Sequence, residues 1–406
     1  MKNLTTSIYT FEDLIGGDFL YVDKTESLWK LLEPSKGIYF LSRPRRFGKS
    51  LTLSTLKAVF QNKKHLFKGL ALESKPYSWK EYPVIHIDLG NCESSDAMHL
   101  SQYLIETVDA ISQFYGLTLT RSGVSGRFTE LIEKLAAPVG KIVILIDEYD
   151  KPILDNVVKA NIESIREVLE NFYSVVKATE PYQRFVLLTG VSKFARVSVF
   201  SKLNNLTDIT MDARYATMFG YTQKEFEENF AEYVVHVCRE QKVDKAELLA
   251  KLKLWYDGYK FHQNAGPVYN PVSIGKFFES GGEFKNYWFE TGTPSFLLKL
   301  AKKQQFDFEK ELSQPVSELA FASYEIDKLE TLPLLFQTGY LTIKNAVRDE
   351  EDTFYHLDFP NREVEAAFEA YLLNEYSGVK KERIEVYAAE MARMLKGGIL
   401  TPSWEK

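Results

Sequence analysis

The sequence predicts an α/β chain. A mostly parallel five-stranded sheet is expected over residues 1–215, followed by a mainly helical module over 216–406 that carries a winged-helix-like hairpin. Three observations predict this. Short apolar runs alternate with helical patterns through the first half, which gives parallel strands joined by crossover helices. One of these runs, Ile38 to Leu41, leads through a polar turn into a helix that opens on Gly48-Lys49-Ser50. Another, Ile142 to Ile146, is apolar throughout and ends in Asp147-Glu148. Such a run suits a strand buried on both faces of a parallel sheet.

Residues 1–36 lead into the first of these strands. Asp23-Lys24-Thr25-Glu26 has capping-box spacing, and Leu28, Leu31 and Leu32 follow at helical spacing. Tyr21 to Thr25 is either a strand end with a helix cap or a stretch lying close to a bound base. Next comes GIYFLSRPRRFGKS, Gly37 to Ser50, and then Leu53, Leu56 and Phe60 on one helical face. Strand, loop, Gly-Lys-Ser and helix is the context of a phosphate-binding loop. Backbone N–H groups at a helix N-terminus would cradle phosphate oxygens. Gly48 would let the backbone approach, Lys49 would reach the β- and γ-phosphates, and the Ser50 hydroxyl would hold Mg²⁺. The loop expected to touch the nucleotide comprises Arg43, Pro44, Arg45, Arg46, Phe47, Gly48, Lys49, Ser50 and Leu51. Its one departure from G-x-x-x-x-G-K-[ST] is Arg43, which stands where the first glycine belongs.

Tyr82 to Asp88 reads as a second strand, with Pro83 suited to its start and His86 a strand residue rather than a catalyst. Helices are expected from His99 to Phe114 and from Phe128 to Leu135, with 121–126 as a loop. The Asp-Glu strand follows. Carboxylates at the C-terminal end of a buried strand lie where open α/β sheets bind ligands. Asp147 would hold the Mg²⁺ shell, and Glu148 would orient and polarise an attacking water. Ile162, Ile165, Leu169, Phe172 and Val176 mark a long amphipathic helix. Phe185 to Gly190 is a fourth strand, and Asn204 to Thr210 a turn and a fifth. Together the Gly-Lys-Ser and Asp-Glu stretches predict a P-loop nucleoside triphosphatase.

Beyond residue 215 the pattern becomes helical. Thr222 to Glu225 is a capping box, and a second helix is expected from Asp244, its N-cap, to Tyr256. Helices dominate to about residue 330. Leu334 to Ile343 then brings strand-type residues that would pair with Phe354 to Phe359, and a last helical pattern begins near Asn361.

Composition narrows the function. The 406 residues are 45% hydrophobic and 26% charged, ordinary for a globular protein. A net charge of −6 argues against a generally basic nucleic-acid binder. Cys92 and Cys238 are the two cysteines, which excludes a disulfide framework and a zinc site. No apolar leader opens the chain and no segment approaches ~18 apolar residues, so no membrane span is expected and the chain reads as cytoplasmic.

With these residues in hand, the sequence resembles the AAA-ATPase-like domain family of bacterial proteins. These are P-loop ATPases often fused to a C-terminal nuclease-like domain of the PD-(D/E)xK class. The motifs run through most of the chain: Tyr21 to Thr25, Ser42 to Ser50, Ile146 to Pro152, Thr189 to Phe194, Phe200 to Asp208, Trp255 to Tyr259, Tyr269 to Pro271, Tyr287 to Pro294, Leu335 to Leu341 and Phe359 to Val364. The resemblance implies that Arg43 is the family's own form of the loop, and that Lys49, Ser50, Asp147 and Glu148 serve ATP and Mg²⁺. It also implies a polar sensor at the end of the strand between the phosphate-loop and Asp-Glu strands. Thr189 fits that role, with Ser192 the alternative. ATP is expected rather than GTP, because no N-K-x-D-type motif follows the fourth strand. The sequence contains no second carboxylate cluster followed by an E-x-K strand, so the nuclease-like domain is not expected within it.

The reading is Mg²⁺-dependent hydrolysis of the β–γ bond of ATP, coupled to movement of the C-terminal module. An arginine finger would come from Arg43, Arg45 or Arg46 in the loop, with Arg45 and Arg46 favoured to touch the nucleotide within the chain, or from Arg196, past the sensor strand, serving a neighbouring subunit or a lid. Two alternatives stand beside it: a nucleotide-gated switch with little turnover, and an ATPase stimulated by nucleic acid through Arg43, Arg45 and Arg46.

Overall fold

The computed structural model describes residues 1–157, 159–193, 205–288, 295–321, 330–349 and 352–377, with the side chains of 295, 296, 299, 319, 320 and 373–377 left aside. Its first half is organised by a five-stranded parallel sheet. The strands are β1 (Gly37–Ser42), β2 (Val84–Asp88), β3 (Ile142–Asp147), β4 (Gln183–Gly190) and β5 (Thr207–Asp208), in the spatial order β2-β3-β4-β1-β5. The central strands β1, β3 and β4 are buried along their whole length. That is why each reads as a continuous apolar run rather than an alternating one. Register puts Leu41 beside Thr189 and Asp88 beside Asp147. The strand ends that carry polar side chains therefore line up at one edge. β5 is shorter than expected: only Tyr39 and Phe40 of β1 pair with it.

Helices cover the sheet. The first two are α1 (Phe11–Gly16) and α2 (Thr25–Leu32). They are followed by α3 (Lys49–Phe60), α4 (Ala97–Phe114), α5 (Val124–Ala136), the single turn α6 (Lys151–Leu154) and α7 (Ile162–Ala178). The stripe Leu53, Leu56 and Phe60 on α3 is fully buried, as its spacing predicts. α5 and α7 meet through Phe128 and Phe172, whose rings stack with centroids 4.7 Å apart. The capping box expected at Asp23 does not form. Asp23 accepts from Thr25 N–H at 2.8 Å and from Ala71 N–H at 2.7 Å, while Glu26 reaches out to Lys75. This stretch is also tied to the second half of the chain: Lys24 donates to both carboxylate oxygens of Glu225 at 2.7 Å.

The second half is mainly helical: α8 (Gln223–Gln241), α9 (Lys245–Tyr256), α10 (Pro271–Glu279), α11 (Ser295–Lys303), α12 (Phe308–Ser313), α13 (Thr331–Gln337) and α14 (Arg362–Ser377). The Thr222–Glu225 capping box is present with both reciprocal bonds, and Asp244 caps α9. The expected hairpin is β7 (Thr342–Asp349) with β8 (Asp352–Asp358). A short strand β6 (Val316–Ser317) pairs with β8, giving the order β6-β8-β7. Leu334 to Gln337 is not strand but the end of α13, a correction to the sequence reading. Pro333 fits the first turn of a helix, and every residue of α13 is buried, so no polar face marks its period.

One hydrophobic core runs from the sheet (Phe40, Ile144, Leu187) across residue 215 to Tyr259, Trp288, Phe336 and Phe368. A second, smaller core is built from α8 to α10 (Phe226, Tyr256, Phe277) and takes in Val22 from the N-terminal segment.

Candidate functional site

β1 ends at Ser42 and α3 begins at Lys49, so the loop between them opens at the helix N-terminus. Gly48 holds φ +93°, a left-handed backbone that glycine adopts without steric cost. No atom lies within 4 Å of where a Cβ would stand there, which leaves room for a ligand oxygen to approach the backbone. The Lys49 ammonium is 4% exposed. It folds over the loop, donating to the carbonyls of Arg43 at 3.1 Å and Pro44 at 3.2 Å, and it lies 3.8 Å from Glu148 Oε1. The Ser50 hydroxyl donates to Asp147 Oδ2 at 2.5 Å. The other carboxylate oxygen of Asp147 accepts from Thr189 Oγ1 at 2.6 Å and from Glu148 N–H at 3.0 Å.

Lys49, Ser50, Asp147, Glu148 and Thr189, chosen from sequence on three different strands and loops, are thus brought together. Glu148 holds φ +52°, unusual for a residue with a side chain. Strain of this kind is found where surroundings impose it, and it clusters at working sites. Arg46 in the loop also has positive φ, +68°. Arg45 and Arg46 are exposed, Pro44 and Phe47 are buried, and Leu51, in the first turn of α3, is half-buried. Arg196 lies outside the described residues.

Arg43 differs from its expected role. Its guanidinium is buried and donates to the carbonyls of Ser42 and Thr210, both at 2.8 Å, and of Tyr215 at 3.3 Å. It stacks over Phe261 with Cζ 4.4 Å from the ring centre. Burial pushes its pKa down to about 9, against the opposing charge of Asp208. The side chain braces the loop from behind. Only its carbonyl faces Lys49. The physical reason for the misreading is that a basic residue in a phosphate loop looks like a phosphate ligand until its distant partners are known.

Several contributors were not anticipated. Asp88, beside Asp147 in register, has its carboxyl raised by burial while accepting from Gly90 N–H at 2.7 Å. Asp150 is completely buried, and burial together with the Glu148 charge pushes its pKa up to about 6. The C-terminal half also reaches the loop. Phe47 packs edge-on against Tyr259 and Phe261, with centroids 4.8 and 5.4 Å away. Trp288 Nε1 donates to Arg45 O at 3.1 Å. A Cβ on Gly339 would lie 2.6 Å from Pro44 Cβ. Lys193 N–H donates to Gln337 Oε1 at 2.8 Å. The loop's partners lie between about 210 and 300 residues from it in sequence, and Gln337 lies 144 from Lys193, beyond the reach of any spacing argument.

A parallel sheet with a Gly-Lys-Ser loop at one strand end and an Asp-Glu pair at another defines a nucleotide-binding ATPase of the P-loop class. Residues 5–200 match the predicted AAA-ATPase family. An uncharacterized protein from the vnfD 5′ region of Azotobacter chroococcum mcd 1 is 40% identical over 380 residues, which cover 92% of this chain and 70% of that protein. The chain belongs to the predicted AAA-ATPase family. Among solved structures, the Aeropyrum pernix ORC2 protein (ADPNP-ADP complexes) aligns with 91% of this chain and 93% of its own, at 12% identity and a TM-score of 0.31. Among the described residues, no helix is long and apolar enough to cross a membrane.

Proposed function

We propose that the chain binds ATP with Mg²⁺ in the cytoplasm and hydrolyses its β–γ bond, coupling nucleotide state to the C-terminal module over 216–406. The observation that carries the reading is the convergence of Lys49, Ser50, Asp147, Glu148 and Thr189 at the open end of β1, β3 and β4. Two hard oxygen donors side by side, the Ser50 hydroxyl and the Asp147 carboxylate, fit Mg²⁺, which takes few protein ligands and completes its shell with water and phosphate. Bound there, the ion would neutralise charge on the β- and γ-phosphates. Lys49 would exchange its two carbonyl contacts for phosphate oxygens. Glu148 would accept a proton from the attacking water as the new P–O bond forms and the bond to the leaving ADP oxygen breaks. Thr189, which donates to Asp147, would serve as the sensor of that centre, whereas the Ser192 hydroxyl donates to Asp150. Arg45 and Arg46, exposed on the loop, are the arginines available to the nucleotide within the chain.

The contacts from Tyr259, Phe261, Trp288, Gln337 and Gly339 to the loop and to the β4 exit support the coupling. A backbone shift at the loop on nucleotide binding would be felt directly by the second half.

The test is calorimetric ATP binding with phosphate release, for the parent chain and for Lys49→Ala. Loss of the buried Lys49 ammonium is expected to weaken ATP binding by roughly tenfold or more, about 1.4 kcal/mol. Unchanged affinity in a folded Lys49→Ala protein would remove the phosphate-loop assignment. Tight binding without phosphate release by the parent chain would favour a nucleotide-gated switch.

A further inference from the structure

The turn after β3 is stitched to the exit of β4 by four sets of contacts. Thr189 Oγ1 donates to Asp147 Oδ1 at 2.6 Å, the Tyr149 N–H to Thr189 O at 3.0 Å, and the Tyr149 hydroxyl to Ser192 O at 2.9 Å. The fourth set converges on Asp150. Its Oδ2 accepts from Val191 N–H at 3.0 Å, Ser192 N–H at 2.7 Å and Ser192 Oγ at 2.6 Å, and its side chain has no solvent exposure. The two segments approach so closely that a Cβ on Gly190 would lie 2.5 Å from Asp150 Oδ1. Glu148 sits inside this bracket, in its left-handed conformation, with its carboxylate 3.8 Å from the Lys49 ammonium. A residue with a side chain keeps such a backbone only where its surroundings over-determine it.

We infer that Asp150 is the positioning residue of the Glu148 turn: by fixing the Val191 and Ser192 amides against that turn, it holds Glu148 in the strained conformation that aims its carboxylate at the Lys49 site. The inference rests on the reading of Glu148 as the group that activates water. It goes beyond that reading by assigning the work of aiming Glu148 to a fully buried carboxylate that is bonded to Val191 and Ser192. The same bracket continues outward. Ser192 precedes Lys193, whose N–H is bound by Gln337 of α13, so the alignment of Glu148 and the seat of the C-terminal module share one short run of backbone.

The experiment uses the full chain carrying Asp150→Ala and Asp150→Asn. Asparagine keeps an acceptor oxygen at the same reach, whereas alanine leaves two buried amides without one. Asp150→Ala is expected to slow single-turnover ATP hydrolysis by about tenfold or more while ATP affinity stays within about twofold, and Asp150→Asn to recover most of the rate. In a Glu148→Gln background, Asp150→Ala should cause no further fall, because it acts through Glu148. A parent-like rate for Asp150→Ala, or a full additional tenfold loss in the Glu148→Gln background, overturns the inference. A side chain that merely supports the fold would lower the melting temperature and leave the rate below the transition unchanged.

A second arm needs no turnover. Amide hydrogen exchange at Glu148, Val191 and Ser192 should be about tenfold faster or more in Asp150→Ala than in the parent, and parent-like in Asp150→Asn. Unchanged exchange in Asp150→Ala overturns the inference. Absence of hydrolysis by the parent chain, with the exchange pattern as expected, removes the hydrolysis reading and leaves the positioning of the turn standing.

Discussion

Replacing Arg43 by Lys separates a brace from a phosphate ligand. The guanidinium is 1% exposed, donates to three backbone carbonyls and stacks on Phe261. Lysine keeps the charge, and so keeps the cost of burying it, but carries one compact ammonium where the planar fork spans Ser42, Thr210 and Tyr215. At least one hydrogen bond to a charged donor is lost, worth ~1.5–3 kcal/mol. The ring contact weakens as well, and it is worth ~1 kcal/mol or more at a buried site. The expected destabilisation is therefore about 3 kcal/mol, a fall in melting temperature on the order of 5 °C for a chain of this size. Thermal unfolding followed by circular dichroism reads the first effect, and calorimetry at 25 °C on the folded protein reads the second. ATP affinity should change by less than about threefold, since the guanidinium is buried on the carbonyls of Ser42, Thr210 and Tyr215. A variant with parent stability and ATP binding weakened by about tenfold would refute the reasoning, because it would place the guanidinium on phosphate.

Two further outcomes follow from the same geometry. Trp288→Phe removes the indole donor to Arg45 O but keeps an aromatic ring; ATP affinity should fall about two- to tenfold with the fold intact, measured by calorimetry, the range of one hydrogen bond of ~0.5–1.5 kcal/mol. Glu130 accepts from the amides of Arg121 and Thr120, both at 2.8 Å, and pairs with Lys134; the Arg121 amide first and Lys134 next hold its carboxyl down at about 2. Its folded pKa lies below its unfolded value. The charged form therefore adds stability above pH ~4.5 that fades as pH falls toward ~2. Glu130→Gln should be less stable than the parent at pH 7, and urea titrations should show the gap closing through that window.

Much of the site was legible because its chemistry is local. Gly48-Lys49-Ser50 and Asp147-Glu148 are each contiguous, and the strands that carry them are buried on both faces, so β1, β3 and β4 stand out as apolar runs. The stripe on α3 placed the helix start correctly. What sequence could not reveal is tertiary. Arg43 owes its place to Thr210, Tyr215 and Phe261, far along the chain. Asp150 is one of three carboxylates in Asp147-Glu148-Tyr149-Asp150, and only the approach of Val191 and Ser192 distinguishes it. α13 is buried on every side, so its sequence shows no helical period and reads as strand. Phe47 and Tyr259 meet across a core that sequence order gives no reason to expect.

The central claim is that Glu148 activates water at a site whose nucleotide is held by other groups. Glu148→Gln keeps size and hydrogen bonding and removes the charge. Single-turnover hydrolysis and ATP affinity, measured together on the parent and this variant with Mg²⁺, should show near-parent binding and a rate lower by on the order of 10² or more. Asp147→Asn, run alongside, should weaken Mg²⁺-dependent binding as well as the rate. Hydrolysis by Glu148→Gln at the parent rate would contradict the account.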